Sequence, residues 1–304
     1  MKVGLIDVDR QTTFPRMKFP NLALMKISGW HKQQGDEVKW CDNGLERFDL
    51  VYKSKVFDET YSSDIDWIPN SSHIMGGGTG YNLDNKLPDE IEHCYPDYTL
   101  YDGTAAETKD TAYGFLTRGC PRGCPWCIVG EKEGQKSVKV ADLEEFWNGQ
   151  KNIVLCDPNI LACKDWKPLF EQLVASCAWV DFNQGLDVRM LTEEKIEYIN
   201  RVKVKRLHFA WDDPKQDLRQ YFELFAKRTQ IHDHRRKVVY VLTNFNSTMD
   251  ENLYRIYTLD SLGFDADVRV FDKPNAPKEI RRLQRWCNNK RVHAVVRKFE
   301  DYRE

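Results

Sequence analysis

The chain has 304 residues, 41% of them apolar and 12% aromatic, which is enough to bury a sizeable core and excludes a disordered or fibrous protein. Its 45 basic and 47 acidic residues leave a net charge of -2, so no bulk positive field points to nucleic acid, and any such partner must be argued from a local patch. Nine cysteines, an odd number, in a chain that opens without a charged-then-apolar leader argue for reduced thiols in metal or catalytic use and for a cytoplasmic protein. No apolar run approaches the roughly 20 residues that cross a bilayer, so no membrane role is expected.

In chain order, KVGLIDV near the N-terminus reads as a strand. A helix started by Asn21 follows (NLALMKISGWHKQQG), then short strands near DEVKW, DLVYKS and HIMGG. This order predicts a small, doubly wound, Rossmann-like α/β domain over residues 1–105, with the polar stretch DGTAAETKD (102–110) as a link. The glycine run MGGGTGY (75–81) lacks the lysine of a phosphate loop and the spacing of a dinucleotide fingerprint, so a tight turn is expected.

From residue 112 a rhythm of apolar run, punctuation and amphipathic stretch repeats six times. The strand candidates are AYGFLTR (112–118), NIVLCD (152–157), WVDFNQ (179–184), RLHFAW (206–211), KVVYVLTN (237–244) and DVRVFD (267–272). Between them lie helical stretches such as VADLEEFWNG, WKPLFEQLVAS, TEEKIEYINRV, DLRQYFELFAKR and MDENLYRIYTLDSLG. Successive βα units of this kind predict a parallel sheet over residues 111–274. Residues 275–304 read as one amphipathic basic helix, capped by Asn275 and Pro277 and stopped at Asn288 and Asn289, with a short tail.

The sharpest local signal is RGCPRGCPWCIVG (118–130), which places Cys120, Cys124 and Cys127 directly after the first strand of that series. Three thiols neither pair as disulfides nor close a tetrahedral zinc site, so the triplet suggests a metal site left open at one position. A zinc site with a fourth ligand such as Cys94, serving a nucleic-acid-binding module without catalysis, and a disulfide-linked loop stay open as alternatives. The other six cysteines (Cys41, Cys94, Cys156, Cys163, Cys177, Cys287) are scattered, and most read as small core residues. Gly119, Gly123 and the two prolines let the loop wrap tightly, and Trp126 can shield a cluster and offer its backbone to a ligand.

The C-x3-C-x2-C spacing, with an aromatic residue just before the third cysteine, resembles the signature of the radical S-adenosylmethionine (radical SAM) superfamily, over roughly residues 112 to 273. The resemblance implies a partial (β/α)6 barrel with its chemistry at the C-terminal strand ends. It further implies a [4Fe-4S] cluster on Cys120, Cys124 and Cys127, and S-adenosylmethionine (SAM) chelated at the open iron. One electron then splits SAM into methionine and a 5'-deoxyadenosyl radical that takes hydrogen from a substrate. A flavodoxin- or ferredoxin-type reductant is implied as partner.

At the other strand ends the resemblance points to Asp157 and Asn159 for the amino group of SAM, although the usual Gly-Gly-Glu is absent. Gln184, Asp187 and Arg189 follow the third strand, Asp212 the fourth and Asn244 the fifth, as further cofactor-binding candidates. The N-terminal unit looks like a degenerate cobalamin-binding domain. It lacks any Asp-x-His-x-x-Gly, so it is read as reused to hold substrate, not cobalamin. An inactive scaffold is the remaining rival.

Compact members of this kind include modifiers of nucleotides and nucleic-acid bases, which makes such a substrate the expectation, with a free small molecule or peptide as the alternative. The local support is a basic stripe of Lys278, Arg281, Arg282 and Arg285, continued by Lys290, Arg291, Arg297 and Lys298, which equally fits a solvated helix face. His232 and His234 precede the fifth strand, away from the strand C-termini, and read as a solvated turn.

Overall fold

The structure is a computed structural model that describes residues 1–303. It divides into two compact units, one of residues 1–114, 124–133 and 141–153, the other of residues 115–123, 134–140 and 154 onward. Side chains hold the later segments within the first unit. Tyr98 donates its hydroxyl to the Phe146 carbonyl at 2.6 Å and accepts from the Tyr113 amide at 3.1 Å. The Phe146 ring also lies so close to Gly114 that a Cβ there would sit 2.3 Å from it.

The first unit opens with β1 (Lys2–Asp7), α1 (Val8–Thr12), α2 (Leu22–Gln33), β2 (Glu37–Trp40), β3 (Leu50–Ser54), β4 (Ile74–Gly77) and α3 (Asp89–Glu92). The four strands form one parallel sheet in the order β2-β1-β3-β4. Asn21 starts α2 as expected, its side chain accepting from the Leu24 amide. On one face of β1, Val3 and Leu5 pack with Leu24, Met25 and Ile27 of α2; on the other, Ile6 packs with Cys41, Phe48 and Val51. Of the glycine run, Met75–Gly77 belong to β4 and the turn begins at Gly78, which has φ +100; a Cβ on it or on Gly80 would come within 2.2 Å of a carbonyl oxygen of Lys55 or Phe57.

Then come β5 (Thr111–Gly114), β6 (Thr117–Arg118), α4 (Val129–Lys132), β7 (Val138–Lys139), β8 (Asn152–Leu155), α5 (Trp166–Ser176), β9 (Trp179–Leu186), α6 (Glu193–Arg201), β10 (Val204–Ala210), α7 (Arg219–Arg228), β11 (Lys237–Thr243), α8 (Met249–Ser261) and β12 (Asp265–Val270). The stretch VADLEEFWNG, expected as a helix, forms only a 3-10 turn over Leu143–Glu145. A six-stranded sheet runs β5-β8-β9-β10-β11-β12, in strict sequence order, and it stays open with β5 and β12 at its two ends. The pairs β9–β10, β10–β11 and β11–β12 are parallel. Right-handed crossovers that always step in one direction place their helices on one face. Phe170 of α5 stacks on Phe182 of β9 at 5.7 Å, and Phe222 and Phe225 of α7 meet Phe209 of β10 at 6.0 and 5.2 Å.

The C-terminal segment is not one helix. α9 (Lys278–Asn288) and α10 (Lys290–Val295) are separated at Asn289, whose side chain caps α10 by accepting from Val292. Pro277 precedes α9 as expected, whereas Asn275 belongs to a 3-10 turn and bonds Asp272. α9 covers the edge of β12: Asn288 Oδ1 accepts from the Val268 amide at 2.8 Å and Gln284 Nε2 donates to the Val268 carbonyl at 3.0 Å. Among the described residues no helix is long and apolar enough to cross a membrane.

Candidate functional site

The cysteine loop is positioned from its N-terminal side by Asp157. This carboxylate, 3% exposed, accepts from the amides of Leu116 and Thr117 and from the Thr117 hydroxyl at 2.7 Å. Burial pushes its carboxyl up to about 6 even though those donors hold it down. Both oxygens accept from Leu116 and Thr117 shortly before Cys120, so Asp157 positions the loop. Asn159, also buried, donates Nδ2–H to Cys120 Sγ at 3.6 Å, while its Oδ1 has no partner. The Cys120 amide donates to the Gly134 carbonyl at 3.1 Å, and the Cys127 amide to that of Cys124 at 3.0 Å.

Gly119 (φ +84) and Gly123 (φ +56) supply the left-handed conformations that let so short a loop turn between its thiols. All nine cysteines are free of disulfides, Cys127 is exposed, and Cys120 and Cys124 are half-buried. Cys94, the fourth ligand of the zinc alternative, is buried and points its thiol at the Tyr95 carbonyl. Among the described residues no three His, Cys, Asp or Glu side chains are gathered as a site for a single metal ion. The donor set itself, three sulfurs with one amide N–H directed at a sulfur, fits an iron-sulfur cluster held by three cysteines. Trp126, between the second and third thiols, is half-buried.

At the end of β9, Asp187 and Arg189 come together, but with each other. Asp187 caps the turn 188–190, accepting from the Arg189 amide at 3.1 Å and from Arg189 Nε at 2.8 Å. Arg189 Nη1 donates to Gln216 Oε1 at 2.6 Å. The same Asp187 carboxylate pairs with Arg122 of the cysteine loop, a residue that spacing did not single out. Gln184 is exposed on β9. Asp212 accepts from the Leu242 amide at 3.2 Å, and Asn244, in the left-handed region at φ +62, donates to the Phe271 carbonyl at 2.8 Å, so both fix neighbouring strand ends.

Two features escaped the sequence. Arg255 of α8, 1% exposed, donates to the carbonyls of Trp211, Asp212 and Leu242 at 2.6, 3.0 and 3.0 Å, clamping the ends of β10 and β11. The second is a polar row on the sheet face opposite the helices: Asp181 on β9, His208 on β10, Tyr240 on β11 and Arg269 on β12. His208 and Tyr240 rings stack at 5.3 Å and 19°, and the Arg269 guanidinium lies 4.3 Å from the Tyr240 ring centre. Burial pushes Asp181 up to about 6 and pulls His208 down to about 4. The signal was present as period-two alternation inside the runs VDFN, LHFA, VYVL and VRV.

His232 lies in a cleft with Trp179, Lys203 and Arg236, at the strand N-termini, and Asp233 caps the turn that contains His234. Both agree with a solvated turn. Of the basic stripe, Lys278, Arg281, Arg285, Arg291, Arg297 and Lys298 are exposed. Arg282 instead bonds the Tyr302 carbonyl and covers the Phe299 ring, and Lys290 pairs with Asp265 at 2.7 Å. No protein-family model matches the chain, and comparison with curated proteins finds no match.

Proposed function

We propose that this chain is a radical SAM enzyme in which Cys120, Cys124 and Cys127 hold a [4Fe-4S] cluster. The observation that carries the reading is the place of the C-x3-C-x2-C loop: it follows the first strand of a six-stranded sheet laid down in sequence order, at the strand C-termini where such α/β folds carry chemistry. Bound there, the cluster would supply the electron that divides SAM into methionine and a 5'-deoxyadenosyl radical. The protein's own part is to hold the loop. Asp157 fixes the backbone before Cys120, Asn159 directs an N–H at its sulfur, and Arg122 ties the loop to Asp187.

The sheet is read as the partial (β/α)6 barrel of that superfamily, and the first unit as a cobalamin-domain-like sheet reused for substrate. The substrate proposed is a nucleotide or nucleic-acid base. Anaerobic reconstitution tests the core of this. The protein should take up about four irons, turn brown, and release 5'-deoxyadenosine from SAM under dithionite, and the Cys120→Ala, Cys124→Ala, Cys127→Ala triple variant should do none of these while staying folded. A colourless protein with stoichiometric zinc would replace the enzyme with the zinc-module reading.

A further inference from the structure

At the strand N-termini of the six-stranded sheet, a cleft of about 240 Å³ opens to solvent, lined among others by Trp179, Asn200, Lys203, Gln230, His232 and Arg236. Its wall is held by Asn200, whose Nδ2 donates to the Arg228 carbonyl at 3.1 Å and whose Oδ1 accepts from the Gln230 amide at 2.8 Å, fixing the loop after α7. Trp179, at the start of β9, is 42% exposed, although tryptophan is on average a highly buried residue. The Arg236 guanidinium lies 5.2 Å from its ring centre, so an aromatic surface and a cation stand side by side in the cleft.

The charge around this cleft is mostly of one sign. β10 shifts register against β9: Val204 pairs with Val180 and Arg206 with Asp181, which leaves Lys205 as an extra residue. Two successive cations, Lys205 and Arg206, are therefore exposed where regular alternation would turn one of them inward. Lys203 and Arg236 are exposed as well, with Arg235, His232 and His234 beside them. Against these stand Asp233, which pairs with Arg235 at 3.0 Å and reaches Arg236 only at 4.0 Å, and the partly buried Asp181 next to Arg206. Cations are in excess.

We infer that this cleft binds single-stranded nucleic acid, an unpaired base against Trp179 and the backbone phosphates along Lys203, Lys205, Arg206 and Arg236. An exposed indole among cations matches a chain that alternates flat bases with anionic phosphates. A duplex hides the faces of its bases, and an acidic peptide has no such faces to offer. The cleft is open and the four cations are at the surface, so a strand reaches them from solvent. The inference goes beyond the enzyme reading above, because the site lies at the strand N-termini and its binding needs neither cluster nor turnover.

The experiment is fluorescence anisotropy of the full chain with labelled single strands of about twelve nucleotides, one RNA and one DNA, across about 50 to 200 mM salt. At least one should bind, with a log–log salt slope of about -2.8 if each of the four cations holds one phosphate. The Lys205→Ala, Arg206→Ala double variant should flatten that slope by about 1.4. Trp179→Ala should lower affinity about fivefold or more and leave the slope unchanged. The triple cysteine variant should bind as the native chain does, so failure of the cluster reading leaves this result standing, and the reverse also holds. Binding of neither strand, an unchanged slope in the double variant, an unchanged affinity in Trp179→Ala, or a duplex or polyglutamate bound as tightly as the single strand would each overturn the site. Should Trp179→Ala fail to fold, the double variant, altered only at exposed positions, decides by itself.

Discussion

The strands of the two sheets are hidden to different degrees. In the four-stranded sheet β1 is buried from Val3 to Asp7, with separate apolar clusters on its two faces. In the six-stranded sheet β9 and β12 alternate between buried and partly open positions, whereas β5 is buried throughout and β11 at every position but Tyr240. Strand order explains this. The order β2-β1-β3-β4 reverses direction at β1, so connections cover both faces, whereas the monotonic order from β5 to β12 sends the helices to one face only.

Polar residues follow suit. At the strand ends of the first sheet they are spent on each other: Tyr101 donates its hydroxyl to Asp7 at 2.7 Å, Asn21 Nδ2 donates to Ser54 at 2.8 Å, and the Val56 amide donates to Asp9 at 2.6 Å. In the second sheet Asp181 keeps a buried carboxylate oxygen without a hydrogen-bond partner. Buried carboxylate oxygens without a hydrogen-bond partner occur in both units, Asp9 Oδ1 in the first and Asp181 Oδ1 in the second.

The strongest way to break this comparison is to delete core on each face. Leu5→Ala and Ile6→Ala should each cost about 2 to 5 kcal/mol in denaturant unfolding, because both faces of β1 are packed. Phe182→Ala should cost about 3 to 5 kcal/mol and its strand neighbour Asn183→Ala under about 0.5 kcal/mol. An Ile6→Ala variant as mild as Asn183→Ala would show that the first sheet has only one core.

Smaller effects sharpen the account of the loop. Asp157→Ala leaves the buried Leu116 and Thr117 donors unpaired, and should cost about 1 to 3 kcal/mol and lower iron uptake on reconstitution. Uptake equal to the native chain's would remove Asp157 from the loop's support. Asn159→Ala removes the N–H aimed at Cys120 Sγ, so the reduction potential of the reconstituted cluster should move to more negative values in an EPR-monitored titration. An unmoved potential would mean that the 3.6 Å contact is packing alone.

The last effect concerns pH. Asp181 is raised from 3.8 to about 6 by burial, with Arg206 and Lys205 opposing the shift. The stability it contributes is full below 3.8 and is lost as pH rises through about 6. Asp181→Asn, which cannot ionise, should therefore gain on the native chain by roughly 2 kcal/mol between about pH 4 and 7. His208 is depressed from 6.5 to about 4 by burial, with Arg206 and Arg269 adding to the shift. Its contribution is present above 6.5 and lost as pH falls through about 4, so His208→Gln should gain on the native chain in the acid direction. Parallel stability curves for Asp181→Asn and the native chain would show that the face is wetter than its geometry indicates.

The sequence by itself determined most of the elements, though AYGFLTR divides into β5 and β6 and the C-terminal helix into α9 and α10. Every strand of both parallel sheets, and the start of α2 at Asn21, was legible because apolar period and capping chemistry act over a few residues. So was the cysteine loop, whose chemistry lies in its spacing. What only the tertiary structure decided was which polar groups are consumed and which remain. Asp157, Asp187 and Arg189 looked like ligands from their place at strand ends, yet the chain closes around them with its own donors and acceptors. Asp181 and His208 looked like ordinary mid-strand residues, and become a polar row only when four strands far apart in sequence are laid side by side. The break at Asn289 and the passage of residues 124–133 and 141–153 into the first unit have the same cause. Local pattern sets secondary structure, while a side chain's free valence depends on partners that only packing brings near.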